Sequence, residues 1–399
     1  MTVLTSLEPS ISVERLYPEN AAFMARTDLK QTRMLSYTAF NQDSVTCLLM
    51  GLLGKRSSVR HRSGVTDEVF AVLNRAGLPF DEDVWIYETG RQAEKHADDL
   101  IEAGKKLFWP YPLKEGRFPQ SAHLVPPDLW QRLNAKQHLD ELVACENLSN
   151  REIFTVDQLL ASGFKKPAYL KAGGELATGN GYVVRYCHDC ASWDDALQWF
   201  GSLDAVENVI VEDAIAVHSC WCAAIIVEQD QTSFAGAAEQ TFTSPGCQSG
   251  SIIDPQNLLP AAGVQLAIEV GEAARGKGFI GMAGLDIGLT TDGRFIIFDP
   301  NFRFNASSSQ VLFHDSATHR SGLSTSYSFY VSTQLQLSEL AQSLRGPIDD
   351  GWFVPTRLID GKLLPAARGK SVCSGFVLGE NRHDVIARHD RLTAIIKAR

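Results

Sequence analysis

Three polar residues close an apolar strand at alternate positions: Asp299, Asn301 and Arg303, in FIIFDPNFRFNASSS from Phe295 to Ser309. Upstream, in GLDIGL, Asp286 stands between Gly284 and Gly288. The TTDG turn joining the two runs is a hairpin signal, and such a hairpin brings Asp286 beside Asp299. Two carboxylates side by side in a half-buried site repel each other, and a cation between them keeps both ionised. Hard carboxylate oxygens with an amide carbonyl suit Mg²⁺ (or Mn²⁺), which keeps open positions for phosphate oxygens and water. The plainer reading is a pair of strand-end acids capped by backbone groups.

Strand alternation assigns the faces. Ile296, Phe298, Pro300, Phe302 and Phe304 share one apolar face. Phe295, Ile297, Asp299, Asn301 and Arg303 share the other, which turns from apolar to polar along its length. On the partner strand the two glycines leave room for something to approach the backbone beside Asp286. Pro300 lacks a donor and marks the end of regular pairing.

A second candidate is KAGGELATGNGYVVRY, Lys171 to Tyr186, with Gly173, Gly174, Gly179 and Gly181. Glycine-rich turns let backbone N–H groups approach phosphate closely. The spacing is neither the dinucleotide-binding GxGxxG nor the P-loop GxxxxGK[ST]. A hairpin cover over phosphates fits it, and a surface hairpin is the alternative. Lys136, in LNAKQHL, is a further phosphate candidate, or else a solvated helix lysine.

The elements that must position these groups follow from periodicity. DEVFAVLNRAGLPF reads as a helix, DVWIYE as a strand, and QAEKHADDLIEAGKKL as an amphipathic helix with Ala93, Ala97, Leu100 and Ile101 on one side. That alternation predicts a parallel α/β unit up to about residue 130. DLWQRLNAKQHLDELVA reads as one helix, and FKKPAYLKA leads through a strand into the glycine-rich turn. NVIVEDAI, SCWCAAIIVEQ and TSFAGAAEQTF read as strands. TSPGCQSGSIIDPQNLLP reads as a long polar loop, AAGVQLAIEVGEAARGKG as a helix, and GMAGLDIGLTTDGRFIIFDPNFRF as the hairpin. From Tyr327 a helix at STQLQLSELAQSLR, strands near GWFVPTRLI and a final helix DVIARHDRLTAIIKA complete the chain.

The bulk numbers exclude several classes. A chain of 399 residues holds more than one ordinary core. Acidic residues outnumber basic ones, 47 to 37. That balance argues against nucleic-acid binding, which needs basic patches, but leaves room for a small anionic ligand. No apolar run is long enough to span a bilayer, and the N-terminus has no signal-peptide pattern, so a cytoplasmic location is expected. Eight cysteines in so long a chain do not form a disulfide framework. CHDC, Cys187 to Cys190, has the spacing of half a zinc site, but only CWC (Cys220 and Cys222) could complete it. Buried free thiols are the simpler reading.

Together these pieces resemble the ATP-grasp superfamily of carboxylate–amine ligases, over about Leu133 to Ser309. LNAK resembles its LNDK-type element, and YLKAGGELATGNG its strand lysine and flap. VIVEDAI resembles its hinge strand, and DPNFR its acid-x-Asn-x-Arg terminus. The general look is that of stand-alone amino-acid or peptide ligases of natural-product biosynthesis. The resemblance implies an N-terminal pre-ATP-grasp α/β domain (1–130). It implies an α+β small lobe with the flap (131–208), a large lobe with the metal hairpin (209–326), and a C-terminal lid or dimerisation element (327–399), leaving a homodimer open. It further implies that Lys136, Lys171 and the flap glycines hold ATP phosphates, and that backbone near Val211 to Ile215, with Glu212, reads adenine. His218 or Ser219 takes the ribose position, and Asp286, Asp299 and Asn301 bind Mg²⁺. Arg303 stabilises an acyl phosphate and the tetrahedral intermediate that follows. Small-molecule carboxylate and amine substrates, amino acids above all, are the expected partners, with no nucleic acid and no membrane. The segment Glu239 to Pro255 lies where acceptor recognition is expected, and Arg303, Arg275 or Arg320 could meet a substrate carboxylate. A carboxylase or carboxylate kinase of the same fold, and an inactive nucleotide-binding module, are the alternatives.

Overall fold

The computed structural model describes residues 5–26, 38–110, 116–174, 183–203 and 206–398. Short strands alternating with amphipathic helices build the first unit. Strands β1 (Ala21–Met24), β2 (Ser57–His61), β3 (Asp83–Tyr87) and β4 (Lys106–Phe108) pair in parallel in the order β3-β2-β1-β4. The helix Gly90–Glu102 buries Ala93, Ala97 and Leu100 as its period requires, and a capping box closes its start at Thr89 and Gln92.

The second sheet is antiparallel. It comprises β5 (Arg151–Thr155), β6 (Ala168–Ala172), β7 (Val184–Cys187) and β8 (Asn208–Asp213), in the order β5-β8-β6-β7. The helix Cys190–Gly201 covers it with Trp193, Ala196 and Phe200. Because β8 pairs with both β5 and β6, the step to the large lobe comes after Asp213, not before Val209 as the sequence suggested.

The third sheet has the order β13-β12-β9-β10-β11-β14-β16-β15. Its strands are β9 (Val217–Val227), β10 (Thr232–Ser244), β11 (Cys247–Ile253), β12 (Gly281–Thr290), β13 (Phe295–Asn301), β14 (Thr325–Thr333), β15 (Phe353–Ile359) and β16 (Ser371–Gly379). The unbroken apolar run of β9 is explained by burial on both faces. Ala223, Ile225 and Val227 pack under the helix Ala261–Gly276, while Ala224 and Ile226 join a core shared with Phe23 and Phe108 of the first unit. Gly271 brings that helix close, since a Cβ there would lie 2.7 Å from Ile225 Cδ1.

Three local expectations change. DLWQRLNAKQHLDELVA is not one helix. Pro127–Asn134 is helical, Ala135 turns extended at ψ 116°, and Lys136–Glu141 forms a 3₁₀ turn. The polar stretch after Ser244 is not a loop. A turn with Gly246 at φ +77° leads into β11, which pairs with β10 and β14. Neighbouring strands on both sides satisfy its backbone, so its own polarity does not forbid a strand. Finally, the segment from Tyr327, assigned to a lid or dimerisation element, adds β15, β16 and most of β14 to the large-lobe sheet. No helix among the described residues is long and apolar enough to cross a membrane.

Candidate active site

The hairpin places Asp286 directly opposite Asp299, and Gly284 opposite Asn301. One residue more is used on β13. Ile287 faces Ile297, whereas Asp286 faces Asp299, so Phe298 is a bulge. The bulge shifts the phase of the alternation. Phe295 and Ile297 pack toward the core with Ile287 and Leu285, rather than sharing a face with Asp299 and Asn301 as strict alternation predicted. Ile296, Asp299 and Asn301 lie on the face of Asp286. The space beside the two glycines is filled by the chain itself. A Cβ on Gly284 would lie 2.0 Å from Asn305 Nδ2, and one on Gly288 would lie 2.3 Å from Phe298 Cε2.

Burial, and secondly Asp299, push the Asp286 carboxyl up to about 7. Lys136, a hydrogen bond from Gln240 and the Cys222 thiol act in the opposite sense. Gln240 Nε2 donates to Asp286 Oδ1 at 3.0 Å. Asp299 Oδ1 is buried and has no hydrogen-bond partner among the described residues. A crowded pair of acids with an orphaned acceptor, beside the buried amide of Asn301, is a donor set that fits a hard divalent cation.

One lysine meets this pair and a second holds the bulge next to it. Lys136, only 7% exposed in its side chain, forms an ion pair with Asp299. Its aim comes from the extended kink at Ala135. Lys171, on β6, donates to Glu212 Oε1 at 2.7 Å and to the Phe298 carbonyl at 3.2 Å. At the flap base, Gly174 adopts φ +98° and its N–H donates to Gln137 Oε1 at 2.7 Å, while the Gly173 N–H donates to the Asn208 carbonyl. Gly179 and Gly181 lie outside the described residues.

Solved structures share this architecture. An N5-carboxyaminoimidazole synthetase from Staphylococcus aureus, complexed with ADP, superposes with a TM-score of 0.56 at 9% identity, covering 94% of this chain and 96% of that one. An L-amino acid ligase from Bacillus licheniformis gives 0.56 at 12% identity, covering 94% and 97%. A biotin carboxylase from Campylobacter jejuni gives 0.53 at 12%, covering 92% and 89%. At such identities these likenesses establish the fold alone. Two family models go further. The L-aspartate–L-methionine ligase N-terminal domain matches residues 12–131, and the ATP-grasp domain of the same ligases matches residues 149–301. The chain belongs to the ATP-grasp carboxylate–amine ligases.

In this ligase Arg303 is buried, and its Nη1 donates to Asn134 Oδ1 at 2.6 Å. Asn134 is the residue of LNAK that the sequence reading passed over, although its place two before Lys136 was visible. The hinge is narrower than expected. Val211 and Glu212 spend their backbone groups in ladders with β5 and β6, and the buried Glu212 side chain is held by Lys171. The Ala214 N–H bonds to the Pro167 carbonyl, which leaves Ile215 outside both ladders. His218 is exposed and Ser219 half-buried at the start of β9, next to this hinge.

Arg275 and Arg320 are not brought to the hairpin. Arg275 pairs with Glu272 on its own helix, and Arg320 donates to the Thr5 and Ala76 carbonyls. The CHDC spacing serves a helix start, where Asp189 caps the Ser192 N–H. Among the described residues no three His, Cys, Asp or Glu side chains gather around a metal position. Gln240 and Gln137 were also missed, and Cys222 was weighed only as half of a zinc site. Gln240 sits in a strand read for its apolar pattern and Gln137 in a segment read as helix, and nothing local in the sequence signals the contacts they make with other elements.

Proposed function

We propose that the residues gathered around the Asp286–Asp299 hairpin phosphorylate an amino-acid carboxylate and then join it to an amine. The observation that carries this reading is the Asp286–Asp299 pair, with its orphaned oxygen, meeting Lys136, with Lys171 bonded to the neighbouring Phe298 carbonyl. Asp286, Asp299 and Asn301 would hold one or two Mg²⁺ ions. When bound, these neutralise charge on the β- and γ-phosphates. Lys136 and Lys171 orient the phosphate chain, and the buried setting of these lysines limits the water that would hydrolyse an acyl phosphate. The substrate carboxylate oxygen bonds to the γ-phosphorus as the bond to ADP breaks. The amine then attacks the acyl carbon, phosphate leaves with the C–O bonding pair, and the nitrogen loses a proton. Arg303 stabilises the oxyanion of that second step.

The family models support L-aspartate and L-methionine as the substrate pair, and an Asp–Met dipeptide as the product. Eight free cysteines, with no disulfide, suit a reducing compartment, and we place the enzyme in the cytoplasm. Purified protein with ATP and Mg²⁺ is incubated with L-aspartate and L-methionine, singly, together and with each of the other amino acids. The expected result is phosphate release that needs both substrates, with a dipeptide seen by mass spectrometry. Turnover that depends on bicarbonate instead would overturn the amide reading, and full activity in Asp299→Ala would overturn the metal assignment.

A further inference from the structure

We infer that Gln240 is a positioning residue of the metal-binding hairpin, fixing which oxygen of Asp286 is presented to the cation. This rests on the reading that Asp286 and Asp299 hold a divalent ion. Gln240 lies on β10, while Asp286 lies on β12, with β9 between them. The contact therefore spans two strand spacings, about 9–10 Å between backbones. It is possible because β9 shows only small side chains there: Cys222 opposite Asp286, and Cys220 one pleat further on the same face. A glutamine is long enough to reach across those thiols, whereas an aspartate or serine is not.

The amide is held at both ends. Its Oε1 accepts the Cys220 thiol at 3.0 Å, and its Nε2 donates to Asp286 Oδ1 at 3.0 Å and to Gln248 Oε1 at 3.3 Å. The thiol decides the orientation of the amide, so that the donor end and not the acceptor end meets the carboxylate. Gln240 is 9% exposed, so water does not take over this role. With Oδ1 engaged by Gln240 and the Cys222 thiol also bonded to this carboxyl, the orientation of Asp286 is set by these contacts, while Oδ1 of Asp299 has no partner among the described residues. Groups that orient a ligating carboxylate change metal affinity without touching the metal.

The test uses Mn²⁺ as the probe, titrated into the full-length protein with a non-hydrolysable ATP analogue and followed by the loss of the free-ion EPR signal. Gln240→Met keeps the length and the burial and removes the donor. It should weaken Mn²⁺ binding about 10- to 100-fold, with thermal midpoint and metal-free nucleotide affinity unchanged. Cys220→Ala keeps the glutamine and removes only the group that orients it, and should give a smaller loss in the same direction. A folded Gln240→Met that binds Mn²⁺ like the parent overturns the inference. If Gln240→Met does not fold, an unchanged affinity in Cys220→Ala overturns it equally. A parent protein with no Mn²⁺ site that Asp299→Ala removes would instead sink the metal reading itself, and this inference with it.

Discussion

Lys136 and Asp299 form an ion pair that ties the 3₁₀ turn Lys136–Glu141 to the edge strand of the large sheet. In the proposed reaction the lysine meets a phosphate oxygen and the carboxylate meets a cation. Nucleotide and metal together can replace this contact, giving each group a new partner of the right sign. Lys136→Met should therefore lower ATP turnover about 100- to 1000-fold, the scale for losing one fixed donor to a developing charge. Phosphate release at saturating substrates checks this, and a loss of less than tenfold would remove Lys136 from the phosphate site.

The Asp286 carboxyl is held at about 7 by burial and by Asp299, against an ordinary value of 3.8. Between those values the folded chain keeps a proton that the unfolded chain has released. The stability this brings is full below the ordinary value and is lost as pH rises toward about 7. Above that, the folded protein carries two crowded carboxylates. Asp286→Asn cannot ionise, so the metal-free variant should be more stable than the parent at about pH 8, with the advantage shrinking toward about pH 4. Urea unfolding at the two pH values checks the sign. Mg²⁺ binding near neutral pH should also release a proton in the parent, visible by calorimetry in buffers of different ionisation heat.

Gly284 is required for a close approach and not for a turn. A Cβ there would meet Asn305 Nδ2 at 2.0 Å, and Asn305 Nδ2 in turn donates to Cys222 Sγ at 3.1 Å. Gly284→Ala should push Asn305 aside, costing about 1–3 kcal/mol of stability as overpacking does. It should also weaken Mg²⁺ binding by disturbing Cys222 against Asp286. Chemical denaturation with and without Mg²⁺ separates the two effects.

The acids, the hairpin, the lysines and the order of elements were legible because each is local. TTDG names its turn, and Gly77, Gly278 and Gly293 stand at positive φ where helix or strand stops. What escaped was non-local. The bulge at Phe298 is set by pairing with Ile287 and Asp286 and leaves no mark in an alternating pattern. β11 is polar in its first half, and only its neighbours β10 and β14 make it a strand. The family resemblance supplied roles for Lys136 and Arg303, but that Asn134 partners Arg303 is a contact between residues 169 apart, which no local pattern signals.

Lys171 and Glu212 form a buried pair with side chains 9% and 5% exposed, at the joint between the lobes. Lys171 also holds the Phe298 carbonyl at the bulge, linking flap strand, hinge strand and metal hairpin. Removing one partner leaves an uncompensated charge away from water. Glu212→Ala should therefore cost about 3–5 kcal/mol. The double variant Lys171→Met with Glu212→Leu removes both charges and fills the space, and should return to within about 1–2 kcal/mol of the parent. It should still show no ATP turnover, because the cation that orients the phosphates is gone. Chemical denaturation and phosphate release, measured on the same preparations, decide between the two roles. A double variant that is both stable and active would reduce the pair to a structural strut. One that is stable and inactive assigns Lys171 to the nucleotide and leaves Glu212 as the group that holds it in place.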